Sequence, residues 1–401
     1  MSYERRLAQL KAVAGIVNGA RAFGGPFQAA LWLTSQCNVK CIHCFFHSPY
    51  VRRPNLFEVR RARLMGAELP DENYIKSVQN RFADREQTMS LIDELIKMGT
   101  QEFLFTGIGE PFLHKNILEF MGYAKKAGCR CVVNTNGTLL DRSRIDELIK
   151  MGFDELRITT MAGTREMYER THPGTPGETL DAMRDNLLYL AERKDSLKVK
   201  KPEVFLAYVV IADNHEGLPD FARLSHDVRA DQVNFRPFDD TKDPDFAPLI
   251  PSNEQALSVL EDLEKVRDYL ESGKIRHNID YFQKVFREQI DTSELYRIIP
   301  CYMGWLGVRI NLMDGKVYAC CKCYEPLGNI HEKKFREIWY GKVYNNFRVK
   351  AKRINKPVYG CDCGKCANHT PNLRTYKILH PLASRSPRLQ QLLPAVSSGN
   401  K

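Results

Sequence analysis

Cys37, Cys41 and Cys44 place three thiols within one short turn, in the run CNVKCIHC. Thiolates are the usual ligands of iron–sulfur clusters, and a cubane needs a ligand on each of its four irons. Three close cysteines with no fourth in the loop leave one iron open, and an open iron can bind an amine and a carboxylate directly. A structural zinc site competes on the loop alone: it wants a fourth Cys or His nearby, and His43 and His47 are at hand. A second candidate stretch is Thr106-Gly107-Ile108-Gly109-Glu110-Pro111. Its glycines let backbone approach a ligand, and exposed carbonyls with a carboxylate suit an ammonium group. Taken alone it is equally a strand-terminating turn. Asn134, Asn136, Arg157 and Thr159 add polar groups at two further strand ends, where Asn136-Gly137 is also an ordinary turn signal. Seven more cysteines follow residue 300: Cys301, Cys320, Cys321, Cys323, Cys361, Cys363 and Cys366. Cys129 and Cys131 lie on a predicted strand and read as core thiols.

The elements that must position these residues alternate. From about Phe27 to Pro237, short β-rich runs are followed by longer helical patterns, the signature of βα units around a parallel sheet. Strands are predicted at 28–34, 102–105, 129–133, 155–160, 204–211 and 232–236. Helices are predicted between them at 88–98, 115–127, 142–151, 178–192 and 218–228. The fold class is therefore α/β, a partial (β/α)6 TIM-like barrel with a small C-terminal cysteine-rich domain. In such folds chemistry sits at the carboxyl ends of the strands, where every motif above falls. The domain boundaries expected are an amphipathic extension at 1–26, the barrel at 27–240 with a basic insertion at 47–86, and a helical linker at 241–300. The cysteine domain at 301–370 and a basic tail at 371–401 complete the chain. The face of 1–26 carrying Leu7, Leu10, Val13 and Ile16 packs on the barrel or rests on an anionic membrane surface. The insertion, with Arg52, Arg53, Arg60, Arg61 and Arg63, is a cover for an anionic substrate or a solvated excursion.

Composition narrows the function classes. The net charge of +10 favours an anionic partner, although much of it is solvated surface. No RNA-recognition signature or zinc-finger helix is present, so specific nucleic-acid binding is not expected. No apolar run reaches the roughly 18 residues of a membrane span, and the N-terminus has no signal-peptide pattern. A cytoplasmic location is expected. In a reducing compartment, twelve cysteines read as metal ligands before disulfides.

The spacing of Cys37, Cys41 and Cys44 after a first strand resembles the CxxxCxxC signature of the radical S-adenosylmethionine (SAM) superfamily, with His43 where an aromatic residue is usual. Gly107-Ile108-Gly109-Glu110, one βα unit later, resembles the family's GGE motif. The resemblance implies that the three thiols hold a [4Fe-4S] cluster and that Gly107, Gly109 and Glu110 hold the SAM amino group. Asn134, Asn136, Arg157 and Thr159 would face its ribose and carboxylate, with Arg157 as counter-charge, and Val210 and Asn214 would lie over the adenine. The later cysteines resemble the auxiliary-cluster domains called SPASM (two clusters) or twitch (one). Seven thiols fall short of the eight that two cubanes need, so one auxiliary [4Fe-4S] cluster is expected on Cys301, Cys320, Cys363 and Cys366. Cys321, Cys323 and Cys361 are alternates, and structural zinc stays open there too. The function implied is SAM cleavage to a 5′-deoxyadenosyl radical and oxidative modification of a small-molecule, glycan or anionic substrate, with a flavodoxin- or ferredoxin-type electron donor. A peptide-modifying enzyme and a non-catalytic iron–sulfur or zinc scaffold are the alternatives. No residue is singled out as a general base.

Overall fold

A computed structural model describes residues 3–50, 81–238, 244–288, 299–352, 360–363, 366 and 369–383, with four isolated positions between 62 and 73. The insertion's arginines at 52–63 and the tail beyond 383 lie outside the described residues. Helix α1 (Tyr3–Asn18) precedes β1 (Gln28–Trp32). Then β2 (Glu102–Thr106), β3 (Arg130–Thr135), β4 (Glu155–Thr159), β5 (Glu203–Val210) and β6 (Gln232–Pro237) alternate with helices. These are α2 (Arg85–Met98), α3 (Ile117–Lys126), α4 (Arg142–Lys150), α5 (Arg165–Thr171), α6 (Glu178–Ser196) and α7 (Leu218–Asp227). After α8 (Asn253–Ser272) and α9 (Ile279–Glu288), a short α10 (Met303–Leu306) leads into β7 (Gly307–Asn311), β8 (Lys316–Tyr318) and β9 (Gly328–Asn329). Helices α11 (Phe335–Trp339), α12 (Lys342–Ala351) and α13 (His369–Ala383) follow.

The strands form one sheet in the order β6-β5-β4-β3-β2-β1-β7-β8-β9. All neighbours from β6 to β7 run parallel, and β8 and β9 fold back antiparallel. This is the expected partial barrel with one addition. The C-terminal domain does not stand apart, because β7 pairs with β1 along its full length, Gln28 opposite Gly307 through Trp32 opposite Asn311.

Period-two alternation sorts the strands' side chains. On the helix side, Ala29, Leu31, Phe103, Phe105, Val133, Leu156, Ile158, Leu206 and Phe235 are buried against α2, α3 and their successors. The lumen side is polar at its amino end. There Gln28 Nε2 donates to Glu102 Oε1 (2.5 Å), and Arg130 bridges Glu102 (2.9 Å) and Glu155. Arg157 also pairs with Glu155, and Arg276 with Glu203 (2.5 Å). This charge layer lies at the amino ends of the strands, opposite the end that leads into the cysteine loop.

Local signals set the helix limits. Asp84 caps α2 by accepting from Gln87 N (2.8 Å), and Gly99 ends it at φ +98°. Asp141 caps α4 in the same way. Helix α5 is an element that the sequence patterns did not suggest: seven residues, capped by Thr164. Helix α1 packs through Ile16 on Ile299, Tyr302, Trp305, Tyr376 and Leu379, which are C-terminal elements rather than the barrel wall, while Leu10 stays exposed. Tyr376 and Leu379 belong to α13, so a boundary at 371 would cut through a packed helix.

Candidate active site

The cysteine loop is tied down on three sides before any ligand is considered. Beyond β1, Ala83 N donates to Leu33 O (2.8 Å) and Ser35 N to Arg81 O (3.0 Å). Gly109 N donates to Thr34 O (3.0 Å) and Glu110 N to Gln36 O (2.9 Å), which fastens the glycine loop directly to the residue before Cys37. A Cβ at Gly109 would lie 1.9 Å from Gln36 O, so only glycine permits this approach. Farther along, Ile42 N donates to Thr171 O (3.0 Å) at the end of α5, and Ser48 Oγ donates to Ile42 O (2.6 Å). Ile42 is buried with Met161, Ile211, Phe246 and Leu249.

Glu110 is 2% exposed, and its carboxylate is already occupied by the protein. Oε1 accepts from Phe112 N (3.0 Å) and Thr135 Oγ1 (2.8 Å), and Oε2 from Asn136 N (2.7 Å). Burial raises its pKa, and these donors offset part of the shift. The glutamate therefore straps the end of β2 to the end of β3. Asn136 carries the strap onward: its Nδ2 donates to Asn38 Oδ1 (2.9 Å) and lies 3.8 Å from Cys37 Sγ. Asn134 Nδ2 donates to Thr106 Oγ1 (3.2 Å), and Thr159 lies one lumen layer above Arg157 on β4.

Three more of the residues singled out in the sequence have defined surroundings. Arg157 is not a free counter-charge, because Glu155 two residues earlier on the same face pairs with it. Val210 is wholly buried on the helix side of β5, and it is Val209 that packs at the mouth with Ile42 and Ile211. Asn214 is consumed internally, donating to Met161 O (3.2 Å) and Val209 O (2.9 Å) and accepting from Ile211 N (2.8 Å). The carbonyl it holds belongs to a residue at φ +55°, a conformation that a methionine rarely adopts. No sequence signal marks Met161 as special.

The loop fits a cationic cluster. Burial pushes the Cys37 thiol up to about 11, and burial followed by the charges of Cys44 and Cys37 pushes Cys41 well above its ordinary value. Three thiolates sharing a desolvated site repel one another, and bound iron removes that penalty. His43 Nδ1 and His47 Nε2 are buried without a hydrogen-bond partner among the described residues, which suits a ligand that brings polar atoms. Burial lowers the pKa of His43 to about 3, with His172 and Arg236 adding to the shift, so its ring is neutral.

The C-terminal cysteines gather around the β7–β8 hairpin, whose turn takes Gly315 at φ +75°. Burial raises Cys301 to about 12, with contributions from Cys366 and Cys363. Burial also raises Cys320, with contributions from Cys321, Cys301 and Cys366. Cys301 thus lies within electrostatic reach of Cys363 and Cys366, and Cys320 within reach of Cys321, Cys301 and Cys366. Cys323 and Cys361, two of the alternates for the auxiliary ligand set, form a disulfide with each other. An antiparallel bridge sets these two residues opposite each other, flanked by Tyr324 N to Gly360 O (2.7 Å) and Asp362 N to Lys322 O (2.8 Å). The core thiols Cys129 and Cys131 are buried, as read from their strand.

One connecting residue was missed. Arg309 on β7 is buried between Trp32 and Tyr318, 4.3 Å from each ring centroid, and donates to Cys321 O and Cys323 O (2.9 Å each). It joins the strand that leads to Cys37 to the loop that carries Cys320. A buried arginine in a strand of otherwise apolar pattern is the only sequence signal that it leaves.

Comparison with known proteins agrees with this geometry. The description "Radical SAM superfamily" matches residues 33–198, and "Iron-sulfur cluster-binding domain", the SPASM domain, matches 301–367. The chain belongs to the radical SAM superfamily, as an enzyme with a C-terminal SPASM domain. Among its relatives, the Fe-coproporphyrin III synthase of Methanosarcina barkeri is 24% identical over 354 residues, covering 84% of this chain and 78% of that one. The PqqA peptide cyclase of Granulibacter bethesdensis is 24% identical over 324 residues, covering 77% and 72%. In fold, Streptococcus suis SuiB bound to S-adenosylmethionine superposes with a TM-score of 0.58 at 13% identity, over 85% of this chain and 72% of that one. Membership brings a [4Fe-4S] cluster with SAM and an auxiliary iron–sulfur site.

Proposed function

We propose that this chain oxidatively modifies a small-molecule, glycan or anionic metabolite, holding one auxiliary cluster on Cys301, Cys320, Cys363 and Cys366. When bound, the first cluster and SAM supply a 5′-deoxyadenosyl radical that abstracts hydrogen from the substrate. Cys37, Cys41 and Cys44 are the ligands of that first cluster, and the Gly107–Gly109 backbone lies alongside to receive SAM. Glu110 and Asn136 set the loop's position and exclude water behind it.

The observation that carries the oxidative reading is the shared sheet. Because β7 pairs with β1 in register and β8 runs back along β7, Cys320 lies near the amino end of the strand pair whose carboxyl end leads to Cys37; this rigid connection suits the auxiliary thiols to accept an electron from a substrate radical held between the two ends. With Cys323 and Cys361 paired, the four named cysteines and Cys321 are the cysteines of this domain that lie outside a disulfide among the described residues. A flavodoxin- or ferredoxin-type donor in the cytoplasm would supply the initiating electron. No helix among the described residues is long and apolar enough to cross a membrane. A peptide substrate is the second reading, favoured by relatives named PqqA peptide cyclase and the subtilosin biosynthesis protein AlbA of Bacillus subtilis.

The test is anaerobic reconstitution with iron and sulfide, then dithionite and SAM, with 5′-deoxyadenosine followed by mass spectrometry. About eight irons per chain and deoxyadenosine lost in Cys41→Ala are expected. Phosphorylated or carboxylated small molecules should stimulate deoxyadenosine formation, and stimulation by peptides alone would overturn the substrate reading in favour of the second. Loaded, reducible clusters that yield no deoxyadenosine would sink the catalytic reading altogether.

A further inference from the structure

Among the described residues, the arginines on and around the barrel lumen are partnered, with one exception. Arg130 has Glu102 and Glu155, Arg157 has Glu155, and Arg276 has Glu203. Arg309 spends its guanidinium on two carbonyls and two rings. Arg236, near the carboxyl end of β6, has no carboxylate partner among the described residues. It sits opposite Val209, and its neighbour Phe235 points into the helix-side core, so Arg236 faces the lumen. Its side chain is exposed to the solvent of the mouth, yet it is surrounded by protein.

What surrounds it defines the ligand. His43 of the cysteine loop, Arg157 and Cys321 are the titratable and charged groups that face it. Desolvation, then Arg157, lowers the Arg236 pKa, while Cys321 opposes the shift; the group stays charged at neutral pH. With Arg157 held by Glu155, the guanidinium of Arg236 is the positive charge left uncompensated on this side of the lumen, and such a charge concentrates anions. Beside it stands an apolar wall: Phe45 and Phe238 with ring centroids 6.1 Å apart, and Phe246 5.4 Å from Phe45 and 5.9 Å from Phe238. A ligand that satisfies both carries an anionic group on an apolar or ring-bearing body.

We propose that Arg236 forms an anion-binding subsite in the barrel mouth, taking a carboxylate or phosphate of the ligand bound over the cysteine loop. The proposal rests on the radical SAM reading of that loop and names the ligand chemistry that the reading left open. A guanidinium forms paired hydrogen bonds with such groups, so charge and geometry both contribute. The carboxylate could come from the substrate or from SAM itself, and the two sources are separable.

The probe is inorganic phosphate, added to the reconstituted, dithionite-reduced enzyme, with phosphorus-31 relaxation reporting its approach to the paramagnetic iron. Wild type is expected to show a saturable enhancement that falls about tenfold or more in Arg236→Gln, as loss of a charge-assisted contact implies. Arg236→Lys, which keeps the charge, should retain part of it. Arg223→Gln, at the exposed Arg223–Asp220 pair, should leave it unchanged. Iron content and thermal midpoint confirm that each variant is folded and loaded. In parallel, the KM for SAM in deoxyadenosine formation assigns the source: unchanged in Arg236→Gln, the anion belongs to the substrate; raised about tenfold, it is SAM's carboxylate. No saturable effect in wild type, or an equal one in Arg236→Gln, overturns the subsite. Because the relaxation readout needs iron but no turnover, its failure is distinct from a failure to make deoxyadenosine.

Discussion

Gly109→Ala should damage catalysis far more than its size suggests. The new methyl group would stand 1.9 Å from Gln36 O and 2.5 Å from Gln36 C, whereas real contacts of this kind do not fall below 3.0 Å. The glycine loop and the segment Thr34–Gln36 must therefore separate by about 1.1 Å. Both are backbone, so no side-chain rotation can absorb the movement. Two hydrogen bonds span the gap, Gly109 N to Thr34 O at 3.0 Å and Glu110 N to Gln36 O at 2.9 Å. Weakening both costs about 1–3 kcal/mol, which a folded domain can survive. Catalysis is less tolerant, because Cys37 is the next residue after Gln36 and a displacement near 1 Å costs on the order of 100-fold in rate. The assay is deoxyadenosine formation per loaded cluster with dithionite as reductant, alongside Gly107→Ala. There the new Cβ would lie 2.9 Å from Gly109 O, so only a few tenths of an ångström must be found, and a loss below about tenfold is expected. The reasoning fails if Gly109→Ala keeps more than about a third of the wild-type rate, or if Gly107→Ala is the worse variant.

Three further outcomes are expected. Arg309→Gln removes two charge-assisted donors and two ring contacts while relieving a buried cation, for a net loss of about 2–4 kcal/mol. Thermal denaturation should show it, together with preferential loss of auxiliary-site iron; unchanged values for both would contradict the role drawn for this residue. For Asp154, burial pushes the carboxyl up, but Lys125, Lys201 and Cys131 N more than offset this and hold its pKa below the ordinary value. A depressed carboxyl stabilises above its unfolded pKa near ~3.9 and loses that contribution as pH falls through the folded value. Asp154→Asn should thus cost about 2–3 kcal/mol at pH 7, with its thermal midpoint converging on wild type below about pH 4; a constant gap would refute the assignment. Cys363→Ser should lower the iron count by about four while uncoupled deoxyadenosine formation persists, and Cys321→Ser should leave the count unchanged. A loss of iron in Cys321→Ser would move that residue into the ligand set.

Element existence was legible because periodicity is local. The six barrel strands and the five predicted helices appear within a few residues of their expected limits. The cysteine loop and the glycine turn were legible because their spacing is short and their chemistry specific. What escaped the sequence depended on contacts between distant residues. Arg157 looked available because nothing in Arg-Ile-Thr-Thr shows that Glu155, on the same face two residues earlier, will pair with it. Glu110 read as a ligand for an ammonium, but its three donors come from the turn that follows it and from the far end of β3. Val210 and Val209 are alike in type, and only the register of β5 decides which one meets the mouth. The Cys323–Cys361 pairing needs a bridge between segments 38 residues apart, which cysteine arithmetic alone cannot supply.

The pairing of β1 with β7 has a consequence for biosynthesis. The strand that presents the first cysteine loop waits for a partner encoded 279 positions later, Gln28 against Gly307. At about 5–20 residues per second, that partner emerges from the ribosome some tens of seconds after β1. Through that interval one edge of β1 has no mate, an exposure that invites aggregation or chaperone capture. Iron delivered to Cys37, Cys41 and Cys44 during synthesis would meet a loop still lacking one wall. Cluster insertion is therefore expected to follow release of the chain, and truncations that stop short of Asn311 should purify as insoluble protein even though every residue of the barrel is present.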